Sequence, residues 1–135
     1  MNKFSYAITS LFLITSSTNI IRGDERPELT TQTENGWTIY VDTSINPLRI
    51  NTMHSWQIRV IDSESKPVTM ASVSIEGGMP EHDHGLPTRP KVTSEISPGT
   101  YLLQGVRFHM PGRWEIKFTI SREDQQEFGM ASIQL

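Results

Sequence analysis

Trp114-Glu115-Ile116-Lys117-Phe118-Thr119-Ile120 alternates apolar and polar residues without a break. In a strand successive side chains point to opposite faces, so four large apolar groups share one side, and Glu, Lys and Thr the other. Such a stretch is a strand with one face in a core and one in water. The run is followed by a polar turn over Arg122 to Gln126 and a closing strand from Phe128 to Leu135. It is preceded by His109-Met110-Pro111-Gly112-Arg113, where Pro-Gly marks a tight turn. The same grammar repeats towards the N-terminus. Tyr101-Leu102-Leu103 follows the turn Ser97-Pro98-Gly99-Thr100, and Lys91 to Ile96 forms a strand before it. Trp56-Gln57-Ile58-Arg59-Val60 alternates with period two, and after the turn Asp62 to Pro67, Ala71, Val73 and Ile75 fall on one face of a further strand. These two strands are expected to pair as a hairpin. Trp37-Thr38-Ile39-Tyr40-Val41, β-branched and aromatic, is the first strand.

No segment carries a sustained helical period. About seven short strands punctuated by turns describe an all-β fold, an immunoglobulin-like antiparallel β-sandwich, with Trp37, Trp56, Trp114 and Phe118 as its heaviest core contributors. Tyr101, just past a Gly turn, fits either the tyrosine corner of such sandwiches or an ordinary half-buried strand tyrosine.

The 135 residues allow one domain and a short appendage. Residues 1–23 begin with one Lys and continue into the apolar run Phe4 to Ile14, the layout of an export signal. Ser16-Ser17-Thr18 gives only a loose cleavage pattern, so both a cleaved signal peptide and an uncleaved N-terminal anchor remain open; either places the domain outside the cytoplasm, periplasmic or otherwise extracytoplasmic. Residues 24–36 are polar and aperiodic and read as a linker, and residues 37–135 form the domain. Cysteine is absent, so no disulfide framework supports the core. Without residues 1–23 the chain keeps 10 basic against 15 acidic residues, a net charge of −5. That balance excludes nucleic acid as a partner, which needs a basic patch.

The chemistry lies in the loops. Gly77-Gly78-Met79-Pro80-Glu81-His82-Asp83-His84-Gly85-Leu86-Pro87-Thr88 holds two of the four histidines, and the others stand in Met53-His54 and His109-Met110. In an extended segment His82 and His84 share a face while Asp83 points away, so both imidazoles could take one cation. Alone, an H-x-H pair also fits two exposed loop histidines. Loops of a sandwich gather at its two ends, and if those loops meet, His82, His84, Met79, His109, Met110 and His54 form a mixed imidazole and thioether set. Thioether sulfur selects Cu(I) and imidazole suits copper and zinc, so a set without thiolate favours copper as the bound cofactor over zinc, calcium or magnesium. Met70 and Met130 read as core fillers. Met79 and Met110, each before a proline in a turn, fit the core less easily. His54, beside Trp56, also fits a structural histidine bonded to a carbonyl.

Met53-His54-Ser55-Trp56, Gly78 to Thr88, Gly99-Thr100-Tyr101 and Phe108 to Ile116 resemble the YtkA-like domain family, which includes FixH-like proteins. The resemblance covers roughly Asn51 to Ile120. It implies an immunoglobulin-like fold, export or membrane tethering, and, through FixH-like members, a link to copper and cytochrome oxidase assembly. This chain has little sign of FixH's firm membrane helix. The expected function is an exported, non-catalytic copper-binding domain with an envelope metalloprotein or copper protein as partner, touching the membrane only through an uncleaved N-terminal segment. The alternative is an immunoglobulin-like protein-interaction module without a metal. No catalytic residue is assigned: there is no Cys nucleophile, Ser-His-Asp elbow or phosphate-binding glycine loop.

Overall fold

The structure is a computed structural model that describes residues 28–135. Within them the chain forms nine strands and no helix: β1 (Leu29–Gln32), β2 (Thr38–Thr43), β3 (His54–Ile61), β4 (Ser72–Met79), β5 (His84–Gly85), β6 (Lys91–Ser97), β7 (Thr100–Val106), β8 (Arg113–Arg122) and β9 (Gln125–Gln134). They build two antiparallel sheets, β1-β2-β3-β7-β6 and β5-β4-β8-β9, packed face to face. The sequence reading of an all-β antiparallel sandwich holds, with two strands more than expected.

The alternation of Trp114 to Ile120 becomes the inner face of β8: Trp114, Ile116, Phe118 and Ile120 are all fully buried. Trp37 and Trp56 join them, as do Tyr101 and Phe108, which the sequence did not rank among the heavy core residues. The segment 1–23, read as signal or anchor, lies outside the described residues. So does the beginning of the linker, but Leu29–Gln32 within it is β1, paired with β2 from Leu29↔Val41 to Gln32↔Thr38. This strand has a single large apolar residue. It is held by its backbone ladder and by the Thr31 hydroxyl, which donates to the Met130 carbonyl of β9 at 2.6 Å.

The expected β3–β4 hairpin does not form. β3 pairs with β2 and β7, whereas β4 pairs with β5 and β8 in the opposite sheet. The turn at Asp62 does reverse the chain, with Val68 N–H donating to Val60 O at 3.0 Å. Val68 is then fully buried and draws the chain across the core. Tyr101 fixes this crossing. Its hydroxyl donates to Val68 O at 2.6 Å and accepts from Ala71 N–H at 3.0 Å. A tyrosine corner bonds backbone a few residues upstream; here the carbonyl lies 33 residues away, so the bond closes the two sheets rather than a local corner. Tyr101→Phe should therefore lose about 1–3 kcal/mol, because two backbone groups are left unpaired. An unchanged urea midpoint would show that water replaces the hydroxyl.

Glu127 is a buried carboxylate on β9. Its Oε1 accepts from Asn35 Nδ2 and Gln125 Nε2, both at 2.9 Å, tying the β1–β2 turn to the second sheet. Burial acts to raise its pKa, but the bonds from Thr33, Gln125 and Asn35 outweigh it and leave the value below the ordinary 4.5. A depressed folded value means that the unfolded chain binds the proton more readily, so the contribution is present above pH 4.5 and lost as the pH falls through the folded value. Glu127→Gln should flatten the loss of stability below pH 4.5, measured by denaturation at stepped pH. Equal acid sensitivity in both proteins would place the titration elsewhere.

Candidate metal centre at one pole of the sandwich

Met79↔His84 is the last pair of the β4–β5 ladder, so Pro80 to Asp83 form a tight turn. The pair His82 and His84 is therefore not extended, as the alternation argument supposed. His82 N–H donates to Met79 O at 3.1 Å, and Asp83 adopts φ 52°. That left-handed conformation is one that Asp tolerates better than most residues. The turn nonetheless leaves the two imidazoles side by side, with ring centres 6.4 Å apart and planes 26° from parallel.

The loop before β8 reaches the same pole. The His109 ring stands edge-on to His84 with centres 6.1 Å apart, and rests against Trp114 at 5.6 Å. Met110 is half-buried, and its carbonyl accepts from Trp114 Nε1 at 3.0 Å. His84 thus stands between His82, two residues away in sequence, and His109, 25 residues away. Two imidazoles on one ion, each about 2 Å from it through nitrogen, would hold their ring centres roughly 5 to 6 Å apart. The observed separations, 6.1 and 6.4 Å, both lie just beyond the wide end of that range. Among the described residues, no three His, Cys, Asp or Glu side chains converge closely enough to hold a metal ion as they stand. One donor is left over: His109 Nδ1 is buried and without a hydrogen-bond partner. Such an orphan is what a water or an ion would satisfy.

Met79 sits otherwise than its place before a proline suggested. It is 2% exposed and belongs to the core. Parity explains this: Val73, Ile75 and Met79 lie on the same face of β4, whose burial alternates along the strand. The Met79 Cε lies 2.7 Å from where a Cβ on Gly112 would stand, and Gly112 itself has φ +129°, so glycine is required there. Gly77 likewise admits Leu86, whose Cγ would be 2.7 Å from an added Cβ. Met79 therefore faces the core, with its Cε against Gly112 in the loop that follows His109.

His54 is buried as well. It is 6% exposed, with ring contacts to Trp56 at 6.2 Å and Phe108 at 5.8 Å. Its Nδ1 is 3.1 Å from Thr52 O, which can only accept, so the proton sits on Nδ1. That is the carbonyl-bonded arrangement of a structural histidine, although Nε2 is left buried and unpartnered. Neighbouring Met53 points largely into solvent at 57% exposure, and Met70 and Met130, expected as core fillers, are exposed too, Met70 in the loop before β4 and Met130 on the outer face of β9.

A charged frame surrounds the pole. Arg113 donates to Glu115 at 2.8 Å and to Glu81 at 3.4 Å, and these two carboxylates, Glu115 foremost, raise its already high pKa. On the outer face of the second sheet a hollow of about 370 Å³ flanks His84, lined among others by Glu76, Asp83, Glu115 and Lys117. The roles of Glu81, Arg113 and Trp114 were not visible in the sequence. Glu81 and Arg113 lie 32 residues apart, and the local signal for Trp114 is its place two residues after the Pro-Gly turn that follows His109 and Met110.

A search of curated proteins returned no match, and neither did a search of solved structures. The family model described as YtkA-like matches residues 31–119, from β1 through most of β8 and across the whole histidine pole. On that match the chain belongs to the YtkA-like family.

Proposed function

We propose that this YtkA-like protein is an exported, non-catalytic metal-handling domain that binds copper through His82, His84 and His109, with Met79 paired to His84 across the β4–β5 ladder and Met110 next to His109 in the chain. The observation that carries the reading is the meeting of three imidazoles from two distant loops, with His84 6.4 Å from His82 and 6.1 Å from His109 between ring centres. His82 and His84 are exposed, so their rings change rotamer quickly and at little cost, and small turns close the set on an ion. His109, half-buried with an orphaned nitrogen, is the fixed point. Imidazole with thioether and no thiolate is copper chemistry before it is zinc chemistry. The basic start and apolar run of residues 1–23 support export to the periplasm or another extracytoplasmic space, where an envelope metalloprotein or copper protein would receive or supply the ion.

Titration of the metal-free protein with Cu(I), Cu(II) and Zn(II) tests the reading. Copper binding tighter than about 1 μM, with zinc weaker, is expected; no ion reaching that level would refute it. The second reading, an immunoglobulin-like interaction module without a metal, is favoured by Phe128 and Met130, which stand 62% and 51% exposed on the outer face of β9 beside a hollow of about 470 Å³. Metal-independent capture of one partner, lost in Phe128→Ser, would support it.

A further inference from the structure

The two loops that carry the imidazoles hang from successive residues of one strand. Arg113 and Trp114 open β8, where their backbone is laddered to β9 through Arg113↔Gln134 and Trp114↔Ile133, and pairing with β4 begins one residue on, at Glu115↔Gly78. Successive strand side chains leave on opposite faces. Arg113 accordingly stands outside, with Nη1 2.8 Å from Glu115 and Nε 3.4 Å from Glu81 in the His82 loop. Trp114 points inward and is fully buried; its Nε1 donates to Met110 O at 3.0 Å and its ring lies 5.6 Å from His109.

We propose that Arg113 and Trp114 are positioning residues that set the spacing between His84 and His109. One arm holds the loop of His82 and His84, the other holds the loop of His109 and Met110, and the paired backbone between them does not stretch. The inference rests on the reading of these imidazoles as metal donors. Neither residue is itself a ligand, because a guanidinium and an indole offer only N–H donors. Nor does the Glu81 pair matter to the fold: Arg113 is 42% and Glu81 63% exposed, and such pairs add little stability. Its work is to keep the loop ordered before the ion arrives, so that binding does not bear that entropy.

The test uses Glu81→Gln, Arg113→Gln, Trp114→Phe and the exchanged pair Glu81→Arg with Arg113→Glu. In metal-free protein, amide hydrogen exchange over residues 81–85 and the proximity of the His84 and His109 rings by NMR report the positioning directly. Glu81→Gln and Arg113→Gln should each speed that exchange and weaken copper binding roughly two- to fivefold, the size of one exposed ion pair, with the denaturation midpoint unmoved. Trp114→Phe keeps the ring but frees Met110 O, and should weaken binding about tenfold. The exchanged pair, made together with Glu115→Gln so that the carboxylate placed at position 113 meets no like charge, should restore both readouts. Unchanged exchange and affinity in the two Gln variants would overturn the proposal, whatever Trp114→Phe does to folding. If wild-type protein binds no copper yet its loop loosens in Arg113→Gln, the metal reading fails and the positioning stands.

Discussion

His82→Ala combined with His84→Ala is expected to weaken copper binding by at least about 100-fold while leaving the folded domain intact. Both residues sit at the rim of the pole and are exposed, and nothing in the core packs on them. Loss of a partner one shell out from a metal already costs 10- to 100-fold, so loss of two donors should cost more. Exposed substitutions away from caps and core shift stability by no more than about 0.5 kcal/mol. The pair of measurements is therefore diagnostic: a copper titration should collapse, and a urea denaturation curve of the metal-free protein should superimpose on that of the wild type. Affinity retained in the double variant would move the site elsewhere on the protein, and His54 with its free, buried Nε2 would become the first place to look.

Much of the fold is legible in the sequence, and the reasons are local. Trp114 to Ile120 declares a half-buried strand because period-two alternation has no other economical solution, and each of its four apolar residues is fully buried. The β3–β4 pairing was misread because Asp62 to Pro67 specifies a reversal and not the sheet in which the chain continues. That choice is made by Val68 and by the Tyr101 hydroxyl, a contact spanning 33 residues. β1 carries too little apolar surface to be seen and exists through its ladder to β2.

The histidine pole divides in the same way. Residue types and loop positions left the meeting of the imidazoles as a condition, and the fold meets it for His84 with His82 and His109 but not for His54. The local shape of Pro80 to Asp83 was not foretold, since it follows from a two-residue β5 whose pairing closes a turn. The burial of Met79 was there to be read: it shares parity with Val73 and Ile75, and parity decides a strand side chain's face more firmly than a following proline does.

The largest effect on stability is expected from Phe108→Ala. Phe108 is fully buried at the junction of three rings, 5.2 Å from Trp114, 6.3 Å from Trp56 and 5.8 Å from His54 between centres. Its carbonyl also accepts from Asn51 N–H at 2.6 Å, so the loop it sits in is anchored on both sides of the chain. Truncating a buried Phe costs about 3–5 kcal/mol through lost burial and the cavity left behind. A domain of this size is stable by only about 5–15 kcal/mol in total. The urea midpoint should therefore fall sharply with the slope unchanged, while Phe128→Ala, at 62% exposure, should move it by no more than about 0.5 kcal/mol. Because His109 follows Phe108 directly and rests on the same Trp114, the loss should also loosen the imidazole that the core holds in place. Phe108→Leu keeps most of the volume and separates the two effects: stability largely recovered, with His109 still displaced, would assign the aromatic cluster a part in shaping the pole. Equal midpoints for Phe108→Ala and Phe128→Ala would contradict the packing described for this end of the sandwich.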